Sequence, residues 1–525
     1  MKIRSRRILF IGLQASLLAA LVVPALARVG IQCPFPLLTQ NGLSYNQHDP
    51  IISTDPNCRN VNVSNFTQIC RVDINAVTGQ PSGITVRPRF LNSSSILFVN
   101  ATSPNAAFRN ASTLARLLRL GTPVAFPNAG FNFTNATTHI RCRSITCGDG
   151  HVMMGDRDRT GNADLIGDGD TYIFGFKDVT GVPPDQILPL GFAGAQHLAP
   201  TMLANQNEEL WLTLTNAGFR ERPDLVDAHT VHYHGFPNAA SAFDGEPMAS
   251  FGINLGSSLT YFYNNVEPGT YIYHCHVEAA EHMQMGMLGQ LFINPAQDGT
   301  LINGFTTFAY NDCTTLPLLT DPMCGVTGYN ILKPVEITSF DPVFHHFDNT
   351  YQKVRFDLLD DTYGMFNGRG YPDTIVRGPI INNGTPFDPA HLPSQPINAI
   401  PMQYDSVGNG TPVTVTVGQR VLIRMPSLST VDFYTITVLG IPFQVVGEGA
   451  RLLRGPAPGT PGQFGLSTIY RTNSVTLGGG EAYDILLDTT GVQPGTYFMY
   501  TANLNILSNN DEDFGGMMTE IVVTP

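Results

Sequence analysis

The reading of this chain turns on Glu267-Pro268-Gly269-Thr270-Tyr271-Ile272-Tyr273-His274-Cys275-His276. Pro-Gly is a turn signal, and the aromatic and β-branched residues after it predict a strand. The phrase returns as Gln493-Pro494-Gly495-Thr496-Tyr497-Phe498-Met499-Tyr500, and Gly286-Met287-Leu288 returns as Gly516-Met517-Met518, so one unit occurs twice. Outward from the first copy lie strand-like runs at Tyr172–Phe176, Leu210–Leu214, Leu259–Tyr263 and Gly289–Ile293. Around the second lie Val354–Leu358, Val413–Val417, Val421–Arg424, Thr435–Val438, Tyr483–Leu487 and Glu520–Val523. Short, evenly spaced strands between turns predict an all-β protein with two Greek-key β-sandwich domains.

Composition agrees. Of 525 residues only 14% are charged, against about 25% in an average domain, while Gly 51 and Pro 38 supply many turns. That mixture excludes helix bundles and coiled coils. A net charge of −13 with no internal basic run argues against nucleic-acid or anionic-membrane partners. Residues 1–27 read as an export signal: Lys2, Arg4, Arg6 and Arg7, an apolar run from Ile8 to Val23, then Ala25-Leu26-Ala27. The chain is therefore expected to be periplasmic, cell-surface or extracellular, with no membrane span once the signal is removed. Residues 28–140 read as an irregular, loop-rich N-terminal region with weak strand signals at Ile84–Val86 and Ile96–Val99 and several Asn-x-Ser/Thr triplets, for example at Asn62 and Asn110.

The chemistry lies in the first copy. His229-Thr230-Val231-His232-Tyr233-His234-Gly235 precedes His274-Cys275-His276, His282 and Met287, and six of the thirteen histidines fall within 54 residues of one another. Side chains at i and i+2 of a strand share a face. His232 and His234 thus point together, as do His274 and His276, while Cys275 points the other way. One strand can serve two metal sites, one on each side. A thiolate with two imidazoles and a thioether suits a soft redox metal and is the blue-copper set: His229, Cys275, His282 and Met287. His48, His139, His197, His345, His346 and His391 stand apart and read as ordinary surface or core residues.

Eight cysteines in an exported chain suggest disulfides, with Cys313/Cys324 and Cys58/Cys70 spaced as small loop closures and Cys33, Cys142 and Cys147 unassigned. With Cys275 set aside as a ligand, the remaining seven leave one cysteine free or intermolecular. Asp156 to Asp164 has the oxygen donors of a calcium loop, but Gly167 stands where a bidentate Glu is expected, so a solvated acidic turn is preferred to a calcium site. Met153, Met154, Met283 and Met285 are soft donors near the histidines, for which core packing is the simpler role.

The segments His229 to Gly235 and Tyr273 to Met287, with Asp244-Gly245-Glu246-Pro247, resemble the copper motifs of the multicopper oxidase family, which is built from cupredoxin domains. The resemblance implies type 1 copper at His229, Cys275, His282 and Met287, a type 2 role for His232 and type 3 roles for His234, His274 and His276. It gives this organisation: export signal 1–27, N-terminal region 28–140, copper-binding cupredoxin domain 141–296, a linker 297–329 with a disulfide, and a cupredoxin domain 330–525 without copper ligands. A full trinuclear cluster needs eight histidines from two domains. The second copy reads Tyr434-Thr435-Ile436-Thr437-Val438-Leu439-Gly440 and Tyr500-Thr501-Ala502 where the histidines belong, and Met517 has no thiolate partner.

Three functions follow from this pattern. The family resemblance implies an oxidoreductase acting on a phenol, a metal ion or another small donor. The complete type 1 set alone supports one-electron transfer by a cell-surface carrier. Copper holding the fold of a structural or assembly protein is the third. A homo-oligomer that pairs His232, His234, His274 and His276 from two chains would restore eight histidines, and a single additional copper or zinc on the four is the simpler alternative.

Overall fold

A computed structural model describes residues 68–74, 81–88, 139–152 and 171–179, scattered positions between 187 and 195, and 198–525 apart from 238–239, 314–320, 372, 376–412, 457–463 and 510–515. The export signal, the triplets, the calcium-like loop and Met153 and Met154 lie outside these residues. So does the side chain of Cys70, and with it any pairing to Cys58.

In the N-terminal region β1 (Gln68–Ile74) and β2 (Pro81–Pro88) form an antiparallel hairpin. The first sandwich follows. One sheet has the order β4-β3-β6-β8, from β3 (His139–Val152), β4 (Thr171–Asp178), β6 (Glu208–Asn216) and β8 (Ser258–Asn264). The other has the order β5-β10-β9-β7, from β5 (Met202–Asn205), β7 (His232–Tyr233), β9 (Gly269–His274) and β10 (Leu288–Asn294), with the short helix α1 (Ala279–Gln284) between β9 and β10. Phe174, Leu212, Tyr261, Tyr273 and Leu291 fill the space between the sheets and are fully buried. Burial of each such side chain contributes about 1.5–3 kcal/mol before chain entropy is counted.

The second sandwich has the sheets β11-β15-β23-β17-β18 and β14-β25-β24-β16-β22. Its strands are β11 (Ile331–Pro334), β14 (Val413–Thr416), β15 (Arg420–Pro426), β16 (Tyr434–Val438), β17 (Phe443–Glu448), β18 (Arg451–Leu452), β22 (Ser474–Leu477), β23 (Ala482–Asp488), β24 (Gly495–Thr501) and β25 (Met518–Thr524). Between and beside them lie β12 (Ile337–Phe340), α2 (Pro342–Asn349), β13 (Tyr363–Phe366), β19 (Arg454–Pro456), β20 (Phe464–Ser467) and β21 (Tyr470–Thr472). The all-β class and the two cupredoxin-like sandwiches are as the sequence predicts.

The repeat holds to the residue. His232 pairs with His274 across β7 and β9, and Thr437 pairs with Tyr500 across β16 and β24. His234 N–H donates to Ile272 O, as Leu439 N–H does to Phe498 O. β5 runs parallel to β10 as β14 does to β25.

One expected strand is absent. Val354–Leu358 alternates apolar and polar residues, yet Phe356–Leu358 is a single 3-10 turn with Phe356 and Leu358 exposed. Arg355 chelates Asp357 two residues on, at 2.7 and 2.5 Å, which suits a tight turn. Alternation without a neighbouring strand to pair with does not make a strand.

The sandwiches meet along β9. Thr270 donates to Asp484 at 2.5 Å, Tyr310 donates to the same carboxylate, and Arg424 reaches Thr270 at 3.1 Å, all buried. Beside this polar node Leu198, Ile272 and Leu288 of the first sandwich pack on Leu428 of the second. Cys313 and Cys324 are disulfide-bonded in the connection, as their spacing predicts, and Cys147 is a free, buried thiol.

Candidate metal centre

β9 ends at His274, and its backbone carries the site on both faces. Cys275 N–H donates to Met287 O at 3.1 Å and Met287 N–H to His282 O at 2.8 Å, so the loop after β9 folds back on itself. That return brings the Cys+7 histidine to the thiol: His282 Nδ1 lies 3.2 Å and His229 Nδ1 3.7 Å from Cys275 Sγ. Met287 belongs to the same buried group, and Cys275, His282 and Met287 are 0% exposed. α1, which presents His282, starts at Glu278 in the left-handed region (φ 46°), a strained entry for a non-glycine residue.

Burial governs the electrostatics here. It pushes His282 down to about 4 and, with the neighbouring His282, holds His229 well below its ordinary value, so both imidazoles are neutral. It pushes the Cys275 thiol up to about 11, against hydrogen bonds from Thr230 that pull it down. A dry thiol between two neutral imidazoles has no base that would ionise it at neutral pH. A soft cation displaces that proton and uses both nitrogens, so the donor set fits copper.

The opposite face of the strand pair holds His232, His234 and His274, whose ligand atoms lie within 4.8 Å of one another. His234 Nε2 and His274 Nε2 are 2.6 Å apart. His276 stands beside them, its ring 4.9 Å from that of His232. Burial lowers His234 to about 4 and holds His274 well below its ordinary value, with nearby histidines adding to both. The two-sided arrangement predicted from the period of the strand is present.

The bracing of this face gives the Asp244-Gly245 motif of the sequence a physical role. His232 Nδ1 contacts the backbone carbonyl of Asp244 at 2.8 Å and its carboxylate at 3.4 Å. The adjacent Gly245 has φ +84°, and a Cβ there would lie 1.9 Å from Val231 O, so the Asp-Gly pair is a steric requirement of the close approach. His274 Nδ1 contacts Cys275 O at 2.6 Å, and Gly480 of the second sandwich stands against His234, where a Cβ would lie 3.0 Å from Nδ1. A third group, Asp227, Glu278 and His282, lies at the outer edge of the thiol site, where Asp227 Oδ2 is 4.0 Å from His282 Nε2. Burial raises both carboxyls above their ordinary values.

The second sandwich has nothing comparable at the aligned positions. Tyr434, Thr501, Ile506 and Met517 replace the His229, Cys275, His282 and Met287 set, and all four are buried. Tyr434, Ile506 and Met517 belong to one apolar core. Thr437, Leu439, Tyr500 and Ala502 stand where the four outer histidines would be, and Leu439 and Ala502 are exposed. His345, expected to be an ordinary residue, is buried and bridges the carbonyls of Tyr172 and Gln284. Met285 is core, as expected.

Residues 189–298 match the sequence model of the family described as Multicopper oxidase. No curated protein sequence matches the chain. Among solved structures it is similar to the blue copper oxidase from Nitrosomonas europaea, at 18% identity and TM-score 0.47 over 74% of this chain and 86% of that one. It is also similar to the copper nitrite reductase from Nitrosomonas europaea, at 12% identity and TM-score 0.43 over 74% and 94%. A further similarity is to a laccase from Botrytis aclada, at 12% identity and TM-score 0.41 over 73% and 52%. Among the described residues no helix is long and apolar enough to cross a membrane. The chain carries, at residues 189–298, a domain matching the multicopper oxidase family, and that stretch holds His229, His232, His234, His274, Cys275, His276, His282 and Met287 together.

Proposed function

We propose that this chain is an exported copper oxidoreductase whose first sandwich holds one type 1 copper on His229, Cys275, His282 and Met287 and transfers electrons singly. The observation that carries the reading is the fully buried Cys275 thiol with an imidazole Nδ1 at 3.2 Å and another at 3.7 Å. When bound, the metal supplies a one-electron couple. The protein excludes water, keeps both imidazoles neutral and fixes the loop through the Cys275 and Met287 backbone bonds, so little has to move between oxidation states. Cys275 lies between His274 and His276 in the chain, which links the thiol site covalently to the histidines on the other face. Asp227 and Glu278 give the outer edge of His282 an acidic character that favours cationic donors.

A second reading, an electron carrier without turnover, is favoured by the four aligned second-sandwich positions, none of which is a histidine. Copper content, visible absorption and electron paramagnetic resonance of the purified protein test the type 1 site: a thiolate-to-copper band that Cys275→Ser abolishes supports it, and its absence after copper reconstitution rejects it. Oxygen consumption with a reduced donor separates oxidase from carrier. Export is tested by the N-terminus of the mature protein, expected at Arg28.

A further inference from the structure

The helix that presents His282 is too short to hold itself in place. α1 has six residues and enters through Glu278 without a side-chain cap. Isolated helices below about 12 residues do not persist in water, so the seat of α1 has to come from its surroundings. It comes at Gln284, two residues after His282, where three polar groups meet three separate elements. Gln284 O lies 2.9 Å from His345 Nε2, Gln284 Nε2 donates to Asp361 Oδ1 at 3.1 Å, and Gln284 Oε1 accepts from Thr430 Oγ1 at 2.5 Å. His345 is on α2, Asp361 stands just before β13, and Thr430 lies between β15 and β16. All three partners therefore come from the part of the chain that builds the second sandwich. Gln284, His345 and Asp361 are buried.

α2 belongs to neither sheet of the second sandwich, and it is strapped to the first. His345 Nδ1 lies 2.6 Å from Tyr172 O on β4, two residues before Phe174. Phe174 N–H donates to Met285 O at 3.0 Å, and its ring stands edge-on to that of His282 at 5.8 Å. The imidazole of His345 thus fills the gap between β4 and the end of α1, whichever of its nitrogens holds the proton. At the start of α2 the Asp341 carboxylate accepts from Val343 N–H at 2.8 Å and Phe344 N–H at 3.2 Å. At its far end Asp348 is ion-paired with Arg222 of the first sandwich. The strap is tied down on both sides of His345, and Asp361 is fixed in turn by Ser339 Oγ at 2.5 Å.

We propose that Gln284, His345 and Asp361 are positioning residues of the type 1 site, through which the second sandwich fixes the place of His282 before any metal arrives. This rests on the type 1 reading above and adds a role for the sandwich that carries neither histidine nor cysteine at the aligned positions. A buried amide with its partners in place has one low-energy position. Removing a partner leaves a polar group dry and unpaired, and the helix that relied on it loosens. Supporting contacts of this kind orient a metal ligand without touching the metal.

The test uses full-length protein. Gln284→Leu keeps the volume and removes the amide, and His345→Phe keeps a ring and removes its nitrogens. In metal-free protein both should speed amide hydrogen exchange over residues 279–287. After loading with Cu(II) both should weaken copper binding about tenfold, shift the thiolate band and change the copper hyperfine splitting. Asp361→Leu should do the same. Asp361→Asn, which keeps an acceptor for Gln284 and gives Ser339 a donor, should restore the original spectrum. Ile506→Ala, in the core of the second sandwich, lowers stability without touching the strap and should leave exchange at 279–287 and the thiolate band unchanged.

Absence of a thiolate band in the unsubstituted, reconstituted protein removes the type 1 reading and this proposal with it. A band that is present, with exchange, affinity and spectrum unaltered in Gln284→Leu and His345→Phe, overturns this proposal alone. The same changes in Ile506→Ala overturn it in favour of general loosening of the fold. If Gln284→Leu does not fold, Thr430→Val removes one of the three contacts and should show a smaller shift of the same sign, and no shift there overturns the proposal.

Discussion

The two sandwiches share one backbone and differ in what fills the same cup. In the first, Cys275 lies on the β9 strand line between His229 and His282, and the loop returns through Met287 N–H to His282 O. In the second, Met517 N–H returns to Ile506 O at 2.9 Å by the same path, but the loop closes over Tyr434, Ile506 and Met517 as core. The cup is therefore a property of the fold, and metal binding is one way to use it. An apolar plug stabilises it with dispersion and dry burial, and needs nothing from solution.

The most damaging change empties the first cup of its thiol. Cys275→Ser should abolish the thiolate absorption and one-electron redox while leaving the far-ultraviolet circular dichroism unchanged. A residual blue band would show that the thiolate is not the ligand.

Next is stability without metal. Ile506→Ala empties the plug and should cost about 2–5 kcal/mol, read as a shift in the urea midpoint at constant slope. A Cβ at Gly364 would lie 2.0 Å from Ile506 Cγ2, so the neighbouring backbone is pressed against this side chain and leaves it no room to move. His282→Ala should cost metal-free protein less, because the histidine gives up a buried Nε2 that has no hydrogen-bond partner among the described residues. If His282→Ala costs as much as Ile506→Ala, the first cup is a packed core that happens to contain histidines.

A third effect separates the sandwiches by pH. Glu336, at the edge of the second sandwich, is fully buried with neither carboxyl oxygen hydrogen-bonded among the described residues, and burial pushes it up to about 8. The folded state keeps this proton after the unfolded chain has released it. The stability it contributes is whole below the ordinary value of 4.5 and is lost as pH rises through about 8. Glu336→Gln should flatten that decline and leave copper content unchanged. Denaturation curves between pH 5 and pH 9 check it, and an unaltered slope would locate the loss elsewhere.

The mildest change adds rather than removes. Thr437→His with Leu439→His places two imidazoles two residues apart where β16 ends, as His232 and His234 stand where β7 ends. Thermal stability should barely change, and a weak second-sandwich copper site should appear by titration calorimetry. No binding would mean that spacing alone is not enough and that carbonyl bracing is required.

Most of this contrast is legible in the order of the amino acids. The ligands fall in two short segments, and a strand's two-residue period assigns Cys275 and its flanking histidines to opposite faces. The repeat aligns His274 with Tyr500 and His232 with Thr437, and the strand registers agree, since His232 pairs with His274 as Thr437 pairs with Tyr500. What escapes such a reading is carried by backbone or by context. The close approach of Gly480 to His234 comes from a glycine far along the sequence, outside any motif near the histidines. Val354–Leu358 has the alternation of a strand but no partner edge, and Arg355 with Asp357 closes a turn instead.

The buried node at Thr270 and Asp484 also has a consequence in time. Thr270 sits on the strand that ends at His274 among the candidate ligands, and its partner lies 214 residues further along the chain. At a synthesis rate of about 5–20 residues per second, the first half emerges roughly tens of seconds before the group that completes its buried contact. During that interval β9 has Arg424, Asp484 and Leu428 still to come, so its inner edge stays wet and its register is held only by β7 and β10. A chain that meets copper too early would meet a half-built cup, and the second sandwich, which carries neither histidine nor cysteine at the matching positions, decides when the first is finished.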